Sequence, residues 1–297
     1  MDIKKNIVIY TIIIILLIIG IIISTTSIKN ETIGIEQNQK KLKKLKISKK
    51  EIPYINEKNI NRYLKYKNKN KNLSLEEIIT QVNIGLDKKP YTHTKKSIYP
   101  NKIYILTNKY TYLEKDYIPD NLEYLDTSYS RSGMMLVKEA KKSLEKMIQA
   151  ANIDGIKIRV ISSYRSFYYQ EQLYEKYKKE DGKKNADTYS ARPGFSEHQT
   201  GLCIDIDDTI LDYNNFHKTK SYNWMQENAH LYGFIERYPK GKENITLYTY
   251  ESWHYRYVGK KIAKYIKKHN ITFDEYYVKF IENKEEWLIK FLFKKNK

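Results

Sequence analysis

Cysteine is almost missing from this chain: among 297 residues there is only Cys203. An intramolecular disulfide framework is excluded, so stability must come from packing, and a lipid-bearing N-terminal cysteine is excluded because Cys203 lies far from the N-terminus. A closed structural zinc site built from several thiolates is excluded on the same ground. Histidine is also scarce, six residues against 35 acidic ones, so a single histidine near a carboxylate means little by itself. No internal repeat is visible. The lysines lack the interleaved aromatics or recognition-helix pattern of nucleic-acid binders, and no nucleic-acid partner is expected.

What is present is unevenly distributed. The net charge of +19, from 54 basic and 35 acidic residues, suits attraction to an anionic surface, although much of it is dispersed lysine. After a short tail of residues 1–6, residues 7–26 form an aliphatic run broken only by Tyr10, Thr11, Gly20 and a polar flank from Ser24. At about 1.5 Å per residue such a run just crosses a ~30 Å hydrocarbon layer. It is expected to be a transmembrane signal anchor, with cleavage as a secretory signal the alternative. Lys29, Lys40, Lys41, Lys43 and Lys44 follow it and, on a simple count of flanking charge, oppose export of what comes after. Residues 27–72 are rich in Lys and Asn and read as a linker with too little apolar content for a core. A folded domain is expected over 73–270, followed by a helical extension over 271–297 that carries Trp287, Leu288 and Phe291.

Within that domain, Ser74 and Glu77 make a capping box before an apolar run. Short extended pieces are expected at Tyr104–Asn108 and Tyr117–Pro119. A helix is expected over 132–151 with Leu136, Ala140, Leu144 and Met147 on one stripe. Ile156–Ile161 reads as a strand that hands over at Arg165 to a helix beginning near Phe167. Further strands are expected around Asp205, over 233–237 and over 248–258, with a helix over 224–232. Helices interleaved with antiparallel-looking strands make an α+β fold.

The chemistry concentrates in two places. Arg192-Pro193-Gly194 is a tight-turn signal, and Ser196-Glu197-His198 follows it, with Asp205 on the alternating strand beyond. About fifty residues later comes Glu251-Ser252-Trp253-His254. His198, Asp205 and His254 are two imidazoles and one carboxylate, the donor set of an open catalytic zinc site with one position left for water. A Zn2+ ion there would acidify a water and polarise a carbonyl, and Glu251, three residues before a ligand, is placed to act as general base and then general acid. A regular strand would send Glu251 and His254 to opposite faces, so a bulge near Ser252 is required. Arg165 is the candidate for gripping a substrate carboxylate or a developing oxyanion. Gln170, Ser190 and Ser196 are candidates for neutral hydrogen bonds to a peptide, unless they cap helices or turns. Arg192 either braces its loop or touches substrate, and Glu197 is either a support for the ligands or solvent-exposed. Cys203, two residues before Asp205, reads as a small buried filler sharing the strand face but not the reach.

These residues resemble the VanY-type D-alanyl-D-alanine carboxypeptidases, zinc peptidases that trim bacterial cell-wall peptides. The likeness runs from about Leu75 to Gly259 and includes Val82-Asn83, Asn108-Lys109-Tyr110, Ser163-Tyr164-Arg165-Ser166 with Gln170, Ala191-Arg192-Pro193-Gly194 with Ser196-Glu197-His198-Gln199, Gly233-Phe234 with Arg237-Tyr238-Pro239, and Glu251 with Trp253-His254-Tyr255-Arg256-Tyr257. The resemblance implies a central antiparallel sheet flanked by helices, zinc on His198, Asp205 and His254, Glu251 as base, and Arg165 assisting the substrate. It also implies peptidoglycan stem peptides ending in D-alanine as substrates and a catalytic domain on the wall side of the membrane, overriding the lysine count. An L,D-carboxypeptidase, an endopeptidase, or a noncatalytic zinc-containing wall-binding module are the competing functions. One departure is visible: relatives often carry Ile-Thr-Gly-Tyr where this chain has Ile245-Thr246-Leu247-Tyr248, and leucine enters the positive-φ region with difficulty.

Overall fold

The computed structural model describes residues 52–208 and 213–282, together with Ile23, Thr26 and Lys29. The expected membrane segment, but for Ile23 and Thr26, and the extension beyond Glu282 lie outside the described residues. Among the described residues no helix is long and apolar enough to cross a membrane. The chain divides into two compact units, Met1–Ile79 and Thr80–Lys297.

In the first unit the linker expectation fails over its last residues. Helix α1 (Ile60–Lys69) follows a short turn capped by the Asn56 side chain, which accepts from the Lys58 backbone N–H. Ile60 and Tyr63 sit one turn apart and are buried, whereas Lys65, Lys67 and Lys69 point outward. The lysines therefore solvate one face without preventing the other from packing. Helix α2 (Leu75–Ile84) starts on the expected capping box: the Glu77 N–H donates to Ser74 Oγ at 3.2 Å and the Ser74 N–H to Glu77 Oε2 at 2.8 Å.

The second unit contains two small strand pairs, β1 (Lys95–Lys96) with β2 (Thr111–Tyr112) and β3 (Leu122–Tyr124) with β4 (Met135–Val137). Neither Tyr104–Asn108 nor Tyr117–Pro119 forms a strand. The helix expected from Ser132 begins later, as α3 (Lys138–Ile153), because Gly133 turns the chain at φ 79° and Met135–Val137 pairs with β3 instead. The stripe survives nonetheless: Ala140, Leu144, Met147, Ile148 and Ala151 are buried on α3, and Leu136 is buried on β4.

The sheet that carries the chemistry has four strands, β5 (Arg159–Ser162), β6 (Cys203–Asp207), β7 (Phe234–Tyr238) and β8 (Glu251–Tyr257), ordered β5-β6-β8-β7 with every neighbour antiparallel. Period-two alternation assigns its two faces. Ile204 and Ile206 join Val160, Tyr255, Tyr257 and the α3 stripe in the main core. Cys203 and Asp205 take the opposite face of β6. Helix α4 (Phe167–Tyr189) begins where expected and breaks at Gly182, whose φ of 76° is not helical. It is followed by α5 (Lys220–Asn228) and the single turn α6 (Glu243–Thr246). Helices α7 (Lys260–His269) and α8 (Phe273–Phe280) close a second core in which Phe273, Tyr277, Val278 and Ile281 meet Ile235, Val258 and Ala263. The packed body thus extends past the expected boundary at 270.

Leu247 ends α6 in the left-handed region, with φ 63° and ψ 15°. A non-glycine residue there costs roughly 1–2 kcal/mol, part of which glycine would give back through its greater freedom in the unfolded chain. Leu247→Gly is expected to raise the unfolding free energy by about 1 kcal/mol, measured by urea denaturation; an equal or lower midpoint would show that no strain is stored there.

Candidate active site

Four local devices assemble the site. Ser196 caps the turn Glu197–Thr200, its Oγ accepting from the His198 N–H at 3.3 Å, and Gly201 ends that turn at φ 64°. A side chain at Gly201 would collide with Leu122, whose Cδ2 would lie 2.8 Å from the added carbon. On β5 a bulge lies between Val160 and Ser162, which pair with the adjacent residues Ile206 and Asp205. Just beyond it the Ser163 carbonyl accepts from His198 Nδ1 at 2.6 Å. In the β6–β8 ladder Asp205 stands directly opposite His254. Finally, Glu236 pairs with Tyr255 and Tyr238 with Glu251, so β8 spends two extra residues between these points. This is the bend required near Ser252, and it brings Glu251 Oε2 to 3.6 Å from His254 Nδ1.

The result is a tight donor cluster. His198 Nε2 lies 3.3 Å from Asp205 Oδ2, and His254 Nδ1 lies 3.0 Å from Asp205 Oδ1. The rings are perpendicular, with centroids 5.0 Å apart. A carbonyl only accepts, so Nδ1 of His198 carries its proton and Nε2 keeps a lone pair. Nε2 of His198 and Oδ1 of Asp205 are buried with no hydrogen-bond partner. Ligands at 2.0–2.2 Å from a tetrahedral zinc stand about 3.3 Å from one another, so the orphaned donors and their spacing fit the ion. Cys203 corrects an expectation. It is fully buried as a filler should be, yet its sulfur and donor atoms of both imidazoles lie within 4.8 Å of one another, so its reach does extend to the cluster.

Electrostatics follow from burial and proximity. Burial pushes the Glu251 carboxyl up to about 7, against the pull of His254. Burial also works to raise Asp205, but His198 and His254 hold it well below the usual carboxylate range. Burial opposes charge on His254, whereas Cys203 and Asp205 raise its pKa well above the usual histidine value, and His198 is raised too, by Cys203 and Asp205 against desolvation and Arg165.

His198, Asp205, His254, Glu251, Arg165, Gln170, Ser190 and Ser196 all line one cleft of about 940 Å³. Arg165 reaches to 3.6 Å from Asp205, and its Nε is buried without a partner. Gln170 donates to the Ala191 carbonyl at 2.8 Å, and its Oε1 is unpaired. Ser190 is buried at the C-terminus of α4, and Ser196 is engaged in capping. Arg192 braces its loop, with a bidentate pair to Asp187 at 2.9 and 2.7 Å. Glu197 is fully buried, not exposed: its Oε1 takes Arg237 Nε at 2.9 Å and lies 3.1 Å from Arg256. Reasoning from the sequence missed Tyr238, whose ring lies 5.0 Å from that of His254, and Lys109, buried 4.1 Å from the Tyr248 ring centroid. Neither carries a spacing signal. Both come from segments remote in sequence, within blocks noted only for their likeness to the family.

The sequence model of VanY, D-alanyl-D-alanine carboxypeptidase, matches residues 133–260. The putative carboxypeptidase YodJ of Bacillus subtilis is 40% identical over 187 residues, 61% of this chain and 68% of that protein. The bifunctional D-Ala-D-Ala dipeptidase and carboxypeptidase VanXYC of Enterococcus gallinarum is 33% identical over 58% of this chain and 92% of its own length. Among solved structures, the LdcB LD-carboxypeptidase superposes with a TM-score of 0.59 at 38% identity, covering 65% of this chain and 92% of that one. A mutant of the D,D-pentapeptidase VanY from a VanB-type resistance cassette, in complex with Zn(II), gives 0.51 at 33% identity, covering 58% and 97%. With two imidazoles and a carboxylate at zinc spacing beside a dry glutamate, and with that likeness across the segment holding them, the chain belongs to the VanY D-alanyl-D-alanine carboxypeptidase family of zinc peptidases.

Proposed function

We infer that this protein removes the C-terminal D-alanine from peptidoglycan stem peptides, with His198, Asp205 and His254 holding Zn2+ and Glu251 as general base. The observation that carries this reading is Glu251 itself. Its carboxylate is buried in the cleft, 3.6 Å from a ligand nitrogen, with a pKa raised to about 7. Such a group exchanges a proton readily at neutral pH. As third ligand Asp205 is preferred to Cys203, because its oxygens stand 3.0 and 3.3 Å from the two imidazoles, whereas the grouping with the thiol is bounded only at 4.8 Å. An Asp ligand also leaves a position open for water, which a thiolate added as fourth donor would fill.

The ion supplies Lewis acidity, acidifying water and polarising the scissile carbonyl. The protein's own groups do the rest. Glu251 Oε2 accepts a proton from the attacking water and delivers it to the amine nitrogen of the departing D-alanine. Arg165 offers its guanidinium to the terminal carboxylate or to the oxygen on which negative charge develops. The unpaired Oε1 of Gln170 accepts from a peptide N–H, and the hydroxyls of Ser190 and Ser196 can donate to peptide carbonyls. A stem peptide lies outside the cell membrane, which favours residues 7–26 as a signal anchor with the catalytic domain on the wall side. A second reading has one observation behind it: the likeness to an LD-carboxypeptidase at a TM-score of 0.59 keeps cleavage of the L,D bond of tetrapeptides in view. Mass spectrometry of products from defined pentapeptide and tetrapeptide substrates tests this. Loss of one D-alanine from the pentapeptide alone supports the D,D reading, and loss from the tetrapeptide alone replaces it.

Glu251→Ala is expected to lower kcat by about 10²–10⁴-fold while zinc content, measured by atomic emission, stays at the wild-type level. An unimpaired rate removes Glu251 from the mechanism. Without the ion the neighbours of both imidazoles raise their pKa values, so zinc competes with protons for the ring nitrogens. Zinc affinity is therefore expected to fall as pH is lowered, with protons released on binding. Calorimetry in buffers of different ionisation enthalpy measures that release directly, and an affinity independent of pH would contradict competition between zinc and protons at these rings.

A further inference from the structure

Glu197 is the most deeply buried carboxylate of the site, and half of it is unaccounted for. Its Oε1 is taken by Arg237 and Arg256 at 2.9 and 3.1 Å. Its Oε2 has no hydrogen-bond partner, and the atom facing it, 3.9 Å away, is Nε2 of His254, also buried and also without one. Two orphaned polar atoms in a dry interior, one a carboxylate oxygen and the other an imidazole nitrogen, form a complementary pair that a small ring rotation would close. The other nitrogen of the same ring, Nδ1, is the one turned toward Asp205 and Glu251.

We propose that Glu197 is a positioning residue for the metal centre: its Oε2 accepts Nε2–H of His254, which fixes the tautomer that leaves Nδ1 free to bind zinc. This rests on His254 being a zinc ligand, as inferred above. A ligand histidine whose far nitrogen donates to a carboxylate is oriented by that bond and made a stronger donor. The two ligand histidines are then held unequally. His198 donates to the neutral carbonyl of Ser163 at 2.6 Å, and His254 donates to a charge. The two arginines are what let Glu197 remain an acceptor in a dry interior, since an unpaired carboxylate there would take up a proton and cease to orient the ring. Arg237 in turn donates to Asp274 at 2.6 Å, and Asn108 donates to Asp274 at 2.7 Å. Helix α8 thus reaches His254 from Asp274 by way of Arg237 and Glu197, and the turn at Asn108 joins that path at Asp274, although Asp274 lies beyond the segment the family model matches.

Two substitutions separate orientation from folding. Glu197→Asp keeps the charge between the arginines but withdraws it from His254 by one methylene. Glu197→Gln keeps the shape and an acceptor but loses the charge. For the full chain loaded with zinc, long-range proton–nitrogen NMR of the histidine rings is expected to show His254 bound through Nδ1, with an Nε2 proton shifted downfield and slow to exchange. In both variants that proton should move upfield and exchange faster, and chelator competition should show zinc bound ~10- to 100-fold more weakly, with circular dichroism unchanged. If His254 is not metal-bound through Nδ1 in the wild type, the ligand reading fails and the proposal with it. If it is so bound, but its Nε2 proton is absent or fast-exchanging, the proposal alone fails, even should neither variant fold. Folded variants with unchanged ring proton and zinc affinity overturn it equally.

Discussion

The pairing of Asp205 with His254 across the β6–β8 ladder is the constraint from which the rest of the site follows. Antiparallel register is discrete, and a slip by one residue would send both side chains into the apolar core and expose Ile204 and Tyr255. The hydrophobic alternation that packs Ile204 and Ile206 against α3 is therefore also what aims Cys203 and Asp205 at the cleft. The geometry of the candidate metal site is inherited from core packing, and His198 joins it through a capped turn whose end is fixed by Gly201.

Around that ladder the protein places charge where charge is expensive. Arg237, Arg256, Glu197 and Asp274 are all essentially excluded from solvent. Removing one partner of a buried pair leaves an uncompensated ion, typically about 3–5 kcal/mol. What such a network provides is position. Each guanidinium is planar and directional, so Glu197 is held by the Nε of Arg237 on one side and by Arg256 on the other, while Arg256 is itself pinned by donation to the Ile105 carbonyl at 2.7 Å. Apolar packing of equal volume would tolerate rotation that this arrangement does not.

The candidate ligands and the candidate base were legible as a group in the sequence because each sits beside a punctuation signal: a turn before His198, an alternating strand around Asp205, and a spacing at Glu251 that only a bulge could satisfy. The bulge is present in β8. The strand–helix handover at Arg165 was legible for the same reason. The boundaries were less so. Leu136 fits a helical stripe as well as it fits β4, and only the pairing of Met135–Val137 with Leu122–Tyr124, a tertiary fact, decides between them. Residues 57–69 look like linker by composition, yet two apolar side chains one turn apart suffice to bury a face. Glu197 was ambiguous because its partners, Arg237 and Arg256, lie forty and more residues away and come together only when β7 and β8 pair.

Leu247 and Lys109 illustrate how a local rule is overridden by a remote group. The left-handed conformation of Leu247 turns its carbonyl toward Lys109 Nζ, which donates to it and also, at 2.5 Å, to the Asp187 carbonyl. Burial depresses the Lys109 ammonium to about 8, against the pull of Asp187, so its charge must be met by such dipoles and by the Tyr248 ring at 4.1 Å. A carbonyl aimed at a dry cation is worth more than the strain of one residue at positive φ. Asp187 also holds Arg192 ahead of the Pro193-Gly194 turn, and Tyr248 precedes Glu251 by three residues. One buried lysine therefore ties together the loops that lead into both halves of the candidate catalytic motif.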